Sequence, residues 1–171
     1  MKRLTVMRHA KSDWGDAELD DFNRPLNGRG WKAARRMGRE LDQRGFQFDL
    51  VLASPSARVR ETIDAVQQKF DFKAPIRFEQ RIYLASEALL LTMVQGLAES
   101  VHRPLLVGHN PGLQRLLLHL THHGEHHVRH KIGEKYPTGA VAVVELPARR
   151  WSEVEPGSGE IVGLILPKDL D

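Results

Sequence analysis

The sequence predicts an α/β fold around a mostly parallel sheet. Three observations lead there. Apolar runs of strand length alternate with longer segments of helical period, three of those runs end in charged or turn-forming residues, and the last two are joined by a connection containing Pro, Gly and Ser. The first run is Leu4-Thr5-Val6-Met7, which stops at Arg8-His9 and a polar loop, Ala10-Lys11-Ser12-Asp13-Trp14-Gly15. Asn27 then suits an N-cap, and the spacing of Trp31, Ala34, Met37, Gly38 and Leu41 predicts a helix over Gly30 to Arg44, stopped by Gly45. Leu50-Val51-Leu52-Ala53 is the next strand. Ser54-Pro55 caps and opens a second helix from Ser56 to Phe70, with Val59, Ile63 and Val66 as its buried stripe.

Ile76-Arg77-Phe78 is a short strand, and Ser86 caps a third helix carrying Leu89, Leu90, Met93, Val94 and Leu97. Leu105-Leu106-Val107 ends in Gly108-His109-Asn110-Pro111-Gly112, with a helix from Leu113 to Leu120. Ala140 to Leu146 and Ile161 to Leu166 read as a hairpin-like pair that closes the sheet.

With 171 residues and 41% hydrophobic content, the chain is expected to be one domain spanning 1–171. It has no cysteine. Disulfides, cysteine zinc sites and a cysteine nucleophile are thereby excluded. The start, Met1-Lys2-Arg3-Leu4, has too few apolar residues before Arg8 for a signal peptide, and no stretch is long and apolar enough to span a bilayer, so a cytoplasmic protein without membrane partners is expected. The net charge is +3, but the basic residues are spread along the chain, and Arg35, Arg36, Arg39 and Arg44 read as the solvated face of the first helix. No nucleic-acid partner is expected from such a distribution.

A parallel sheet would bring Arg8-His9, Ser54-Pro55-Ser56-Ala57-Arg58 and Gly108-His109 to one rim, because ligand crevices of open α/β sheets lie outside the carboxyl ends of the strands. Two guanidiniums and two imidazoles there would suit a tetrahedral dianion, with amides at the start of the Ser56 helix adding positive potential. Phosphate is the expected ligand.

These residues carry a resemblance. Arg8-His9-Ala10 is similar to the Arg-His-Gly signature of the histidine phosphatase superfamily, also called phosphoglycerate mutase-like. Ser54-Pro55-Ser56-Ala57-Arg58-Val59-Arg60-Glu61-Thr62 resembles its Ser-Pro-x-x-Arg-x-x-x-Thr segment, and Val107-Gly108-His109-Asn110-Pro111 its second histidine. Alanine in place of glycine, the short length and Arg24-Pro25-Leu26-Asn27-x-x-Gly30 point to the SixA-type phosphohistidine phosphatases. The resemblance covers roughly residues 3 to 146. It implies a three-layer α/β/α sandwich and a phosphatase that needs no metal or other cofactor. It assigns His9 as the nucleophile that takes the phosphoryl group, with Arg8, Arg58 and His109 as the cations or donors that hold it.

The substrate expected on this reading is phosphohistidine in a protein. A small phosphorylated molecule, ester or anhydride, is the alternative within enzymes, and a noncatalytic phosphate- or metal-binding module the alternative outside them. Ester-cleaving relatives resemble one another in placing a Glu or Asp after the third strand as general acid. Glu87 is the nearest candidate, although a carboxylate in a first helical turn is favoured by the helix dipole alone. A phosphoramidate has less need of such an acid, since its imidazole can depart already protonated. Ser12 and Lys11 are candidate phosphate donors from the first loop, Arg60 is expected to point away from Arg58, and Thr62 to be internal to the helix. Asp13, Asp16, Asp20 and Asp21 are further carboxylates, with Asp21 expected to pair with Arg24. The tract His119 to His130 holds six of the nine histidines. His123 with His127, and His126 with His130, would share helix faces, but Gly124 favours a polar excursion over a continuous helix and no metal site is assigned.

Overall fold

A computed structural model describes residues 1–122 and 127–170. Six strands form one sheet in the order β3-β2-β4-β1-β5-β6. They are β1 (Lys2–Arg8), β2 (Leu50–Ala53), β3 (Ile76–Phe78), β4 (Pro104–Gly108), β5 (Val141–Leu146) and β6 (Glu160–Ile165). The first four run parallel, and β5 pairs antiparallel with both β1 and β6, the hairpin-like closure that the sequence predicts.

The helices are α1 (Gly28–Gln43), α2 (Ala57–Gln67), α3 (Glu87–Gln95), α4 (Gly112–Leu120) and α5 (His127–Glu134). Strand alternation sorts the core into two layers. Leu4, Val6, Leu50, Leu52 and Leu106 face α3, α4 and α5. Met7, Val51, Ala53, Leu105 and Val107 face α1 and α2. The fold is therefore the three-layer α/β/α sandwich. Among the described residues no helix is long and apolar enough to cross a membrane.

Local chemistry accounts for the boundaries. Asn27 caps α1 by accepting from the Gly30 N–H at 2.8 Å, and the buried stripe is Ala34, Met37, Gly38 and Leu41. Ser86 caps α3 in the same way, accepting from the Leu89 N–H at 3.2 Å. Two expectations need correction. The second helix begins at Ala57, because Ser56 is extended and its N–H turns back to the Ser54 hydroxyl at 3.3 Å, and its regular part ends at Gln67, three residues short of Phe70, whose N–H still donates to the Val66 carbonyl at 2.9 Å. The polar excursion expected after α4 contains a helix, α5, anchored by the buried Ile132. His123 and His126 lie outside the described residues, and with them the two proposed histidine pairs.

Two parallel strands control the site. After β1 the chain passes to the α1 face, whereas after the adjacent β4 it passes to the α4 face, and the crevice opens where these paths part. The loop after β1 is pinned against the start of α1: the Asn27 N–H donates to the Lys11 carbonyl at 3.0 Å and Asp13 N–H to the Pro25 carbonyl at 2.8 Å. This close approach requires Gly30, where an added Cβ would stand 2.1 Å from the Lys11 carbonyl oxygen. Gly30→Ala is expected to lower stability by about 1–3 kcal/mol in urea denaturation through forced displacement of that loop. Gly28→Ala, with nothing within 4 Å of the new Cβ, should leave stability within about 0.5 kcal/mol.

Candidate active site

Arg8, His9, Lys11, Ser12, Trp14, Asp21, Arg58, Leu84, His109, Asn110, Lys135, Pro137 and Thr138 line a cleft of about 510 Å³ at the carboxyl ends of β1, β2 and β4. The sheet ladder runs past the strands into this rim, with the His9 N–H donating to the Gly108 carbonyl and the Ser54 N–H to the Val107 carbonyl, both at 3.1 Å. The His9 and His109 rings consequently stand 5.4 Å apart, centroid to centroid.

His9 is 5% exposed. Its Nδ1 lies 2.7 Å from the Ala10 carbonyl oxygen. A carbonyl only accepts, so Nδ1 carries the proton and Nε2 presents a lone pair. Burial, with Arg8 and Arg58 nearby, pulls the imidazole down to about 4, leaving it neutral at pH 7. The loop that supplies this carbonyl is itself held, because the Ala10 N–H donates to the Thr62 hydroxyl at 2.9 Å and that hydroxyl donates to the Arg58 carbonyl at 2.6 Å. Thr62 is internal to its helix, as expected, and also ties the His9 loop to the turn that carries Arg58.

Arg58 is 5% exposed, yet its head reaches the cleft. Nη1 donates to the Asp21 carbonyl at 2.7 Å and Nη2 to the Asp21 carboxylate at 3.0 Å. A guanidinium has five N–H donors, so three remain for a ligand. The expected pairing of Asp21 with Arg24 is corrected here. Arg24 is buried and spends its donors on the carbonyls of Asp13 and Leu19, at 3.1 and 3.2 Å, while its plane covers Trp14 at 4.0 Å. It thereby braces the loop alone, and Asp21 is free to join Arg58 and the Tyr83 hydroxyl, which donates to Oδ2. That hydrogen bond and Arg58 hold the Asp21 carboxyl below its ordinary value, so it is ionised.

Arg8 enters from the opposite wall, where Nη1 donates to the Tyr136 carbonyl at 3.1 Å. The same carbonyl accepts from the Asn110 side chain at 2.9 Å. Burial and Arg58 lower Arg8 from its usual value, but a guanidinium stays charged in proteins. The turn beyond Tyr136 closes on β1, since the Gly139 N–H donates to the His9 carbonyl at 2.8 Å, with Gly139 in the left-handed region at φ 78°. His109 has Nε2 2.7 Å from the Ser54 hydroxyl, and its Nδ1 is buried with no hydrogen-bond partner among the described residues. Burial first, then His9 and Arg58, push it down to about 3.

Arg8, His9, Arg58, His109, Ser12 and Lys11 are thus brought together. Glu87 is not, since it sits on the first turn of α3 outside the cleft lining. Arg60 points away, donating to the Pro55 carbonyl at 2.8 Å and covering the Phe78 ring. The first turn of α2 contributes Arg58 to the walls and none of its capping residues. Sequence reasoning missed Ser54, Tyr83, Asn110 and Tyr136. The Asn110 position was visible in the strand-end motif, but Tyr83 and Tyr136 come from segments with no signal that relates them to the site.

Comparison with known proteins agrees with this geometry. The profile described as histidine phosphatase superfamily (branch 1) matches residues 4–83. An uncharacterized protein of Mycobacterium tuberculosis is 33% identical over 164 residues, covering 95% of this chain and 100% of that one. The structure of a candidate phosphohistidine phosphatase SixA from Agrobacterium tumefaciens superposes with a TM-score of 0.82 at 27% identity, covering 97% of this chain and 98% of that one. A protein histidine phosphatase SixA solved in complex with tungstate shares the fold at a TM-score of 0.79 and 24% identity, with 98% of both chains covered. A relative matched along its whole length and neighbours that superpose end to end leave one family: the chain belongs to the histidine phosphatase superfamily, in its SixA-type group.

Proposed function

We propose that this phosphatase hydrolyses phosphohistidine in a protein substrate, without a metal, through a phosphoryl group carried on His9. The observation that carries the reading is the state of His9: neutral, with Nδ1 bonded to its own loop and Nε2 bearing the lone pair, in a cleft walled by Arg8, Arg58, Lys11 and Lys135. A phosphate dianion seated between the two arginines would place phosphorus before that lone pair. Attack at Nε2 forms the P–N bond as the substrate bond breaks, and water then attacks phosphorus to release phosphate and restore the imidazole. The charge spread over the equatorial oxygens meets guanidiniums held in place beforehand, so little rearrangement is needed. Arrival of the dianion would raise His109 from its depressed value and favour its donating form.

Support for a phosphoramidate over an ester comes from what the cleft offers a leaving group. Among the described residues its lining holds one carboxylate, Asp21, and that one is ionised and bonded to Arg58 and Tyr83. An alkoxide would depart from such a site without an acid, whereas a protonated imidazole departs neutral. The neighbour with bound tungstate, a tetrahedral oxyanion, is consistent with the proposed ligand class.

Purified protein incubated with a phosphohistidine peptide and with a panel of phosphomonoesters should release phosphate fastest from the peptide. Quenched reactions should hold an acid-labile phosphoryl group on His9, and His9→Ala should show neither. Turnover without label at His9 would sink the mechanism. Arg58→Ala should lower kcat/KM by about a hundred- to a thousandfold. Glu87→Gln should change peptide hydrolysis less than about twofold, in steady-state kinetics, because its carboxylate lies outside the cleft.

The depressed histidines also set a stability dependence. Well above pH 6.5, from about pH 8, neither imidazole is protonated in the folded or the unfolded chain, and they contribute nothing. As pH falls through 6.5, the unfolded chain takes up protons that the buried imidazoles refuse, down to about pH 4 for His9 and about pH 3 for His109, so stability drops by up to about 1.4 kcal/mol per pH unit for each histidine. Urea denaturation between pH 7.5 and 5 should therefore show a steeper acid loss in the wild type than in His9→Gln or His109→Gln.

A further inference from the structure

Asp21 has more in it than a brace for Arg58. Both of its side-chain bonds end on Oδ2, from Arg58 and from Tyr83, and Oδ1 takes part in neither. The side chain keeps 42% of its exposure and lines the cleft, where it is the one carboxylate among the described residues, facing Arg8, Lys11, Arg58 and Lys135. A carboxylate at that position weakens a site for phosphate, since it repels the dianion and occupies a donor of the guanidinium that would hold it. Its presence makes sense if another part of the substrate needs it.

We infer that Asp21 recognises the leaving imidazole, with Oδ1 accepting a hydrogen bond from the ring nitrogen that does not carry phosphorus. This rests on the phosphohistidine reading. A phosphorylated imidazole departs readily only when its far nitrogen is protonated, and the ring is then cationic. In a cleft with four cationic side chains such a ring is disfavoured unless an anion faces it. Asp21 is that anion, and Tyr83 and Arg58 keep it ionised.

The step balances without proton movement. His9 Nε2 forms its bond to phosphorus while the substrate P–N bond breaks, and the electron pair of that bond returns to the leaving nitrogen. The ring, which entered with a proton on its far nitrogen, leaves as neutral imidazole with that proton still attached. Asp21 favours the protonated ring and orients it, and Arg58, touching Asp21 on one side, holds the phosphoryl group with its remaining N–H donors. The carboxylate is thus a specificity determinant: an aryl or alkyl leaving group has no N–H for Oδ1 and gains nothing from it.

The test compares two substrates, a phosphohistidine peptide and p-nitrophenyl phosphate, in wild type, Asp21→Asn and Tyr83→Phe. Asp21→Asn should lower kcat/KM for the peptide about ten- to a hundredfold more than for the aryl ester, the size expected for loss of a charged hydrogen bond. Tyr83→Phe, which retains the carboxylate, should leave the ratio between the two substrates within about threefold of wild type. Equal losses on both substrates would show that Asp21 only positions Arg58 and would overturn the inference, as would no loss. A second measurement needs no variant. Wild type should prefer phosphorylated imidazole to its N-methylated counterpart, which is cationic at every pH and leaves at least as well but has no N–H to donate; a preference for the methylated ring overturns the proposal. If wild type hydrolyses no phosphohistidine peptide at all, the functional reading fails first and is separately identified.

Discussion

The parallel register of β2, β4 and β1 is the constraint on which the molecule depends. Once Leu52 lies beside Leu106 and Val6 beside Leu106 from the other side, the residues just past each strand have no freedom to be elsewhere. Ladder bonds continue into the rim, from Ser54 to Val107 and from His9 to Gly108. Helix direction does the rest, because α1 and α4 leave adjacent strands toward opposite faces and open a crevice between them. The sandwich is built from apolar alternation, and the site is what remains where that alternation stops.

Electrostatics then follow from crowding. Two imidazoles and two guanidiniums placed together cannot all be charged, and burial decides which ones give way. The histidines are the groups that can release a proton near neutral pH, so they become neutral. The arginines keep their charge and are held by carbonyl oxygens and one carboxylate. A neutral imidazole between fixed cations is therefore a consequence of placement, and the role proposed for His9 requires no proton-abstracting partner.

Legibility in the sequence tracked the range of the interactions. Strands, helix caps at Asn27 and Ser86 and the two core stripes depend on neighbours within a turn or a strand, and they are where the periodicity puts them. Arg8, His9 and His109 were legible because they follow apolar runs at once, and Arg58 because the Ser54-Pro55 turn after its run opens the helix that carries it. Asp21 was misread since its alternatives, Arg24 three residues on and Arg58 thirty-seven residues on, differ only in tertiary structure; the nearer arginine is consumed by carbonyls of its own loop. Helix α5 was missed for a related reason. Its polarity matches solvent, and Ile132 alone of its residues is buried. Tyr136 reaches the site through a main-chain carbonyl, for which a side-chain pattern carries no mark.

The hydroxyl of Thr62 has a mechanical meaning. By accepting from Ala10 and donating to the Arg58 carbonyl, it makes the strand-end loop and the first turn of α2 one rigid piece. Any drift of the helix along its axis carries the His9 ring and the Arg58 guanidinium together, and their separation is preserved. The opposite wall, the turn from Lys135 to Thr138, is tied to the same strand by other means: the Tyr136 carbonyl accepts from Arg8 and Asn110, the buried Tyr136 hydroxyl donates to the Val6 carbonyl, and the Gly139 N–H reaches the carbonyls of Arg8 and His9. The cleft resembles a vise whose two jaws are both bolted to the first strand, so its width is set by the sheet and by neither wall alone.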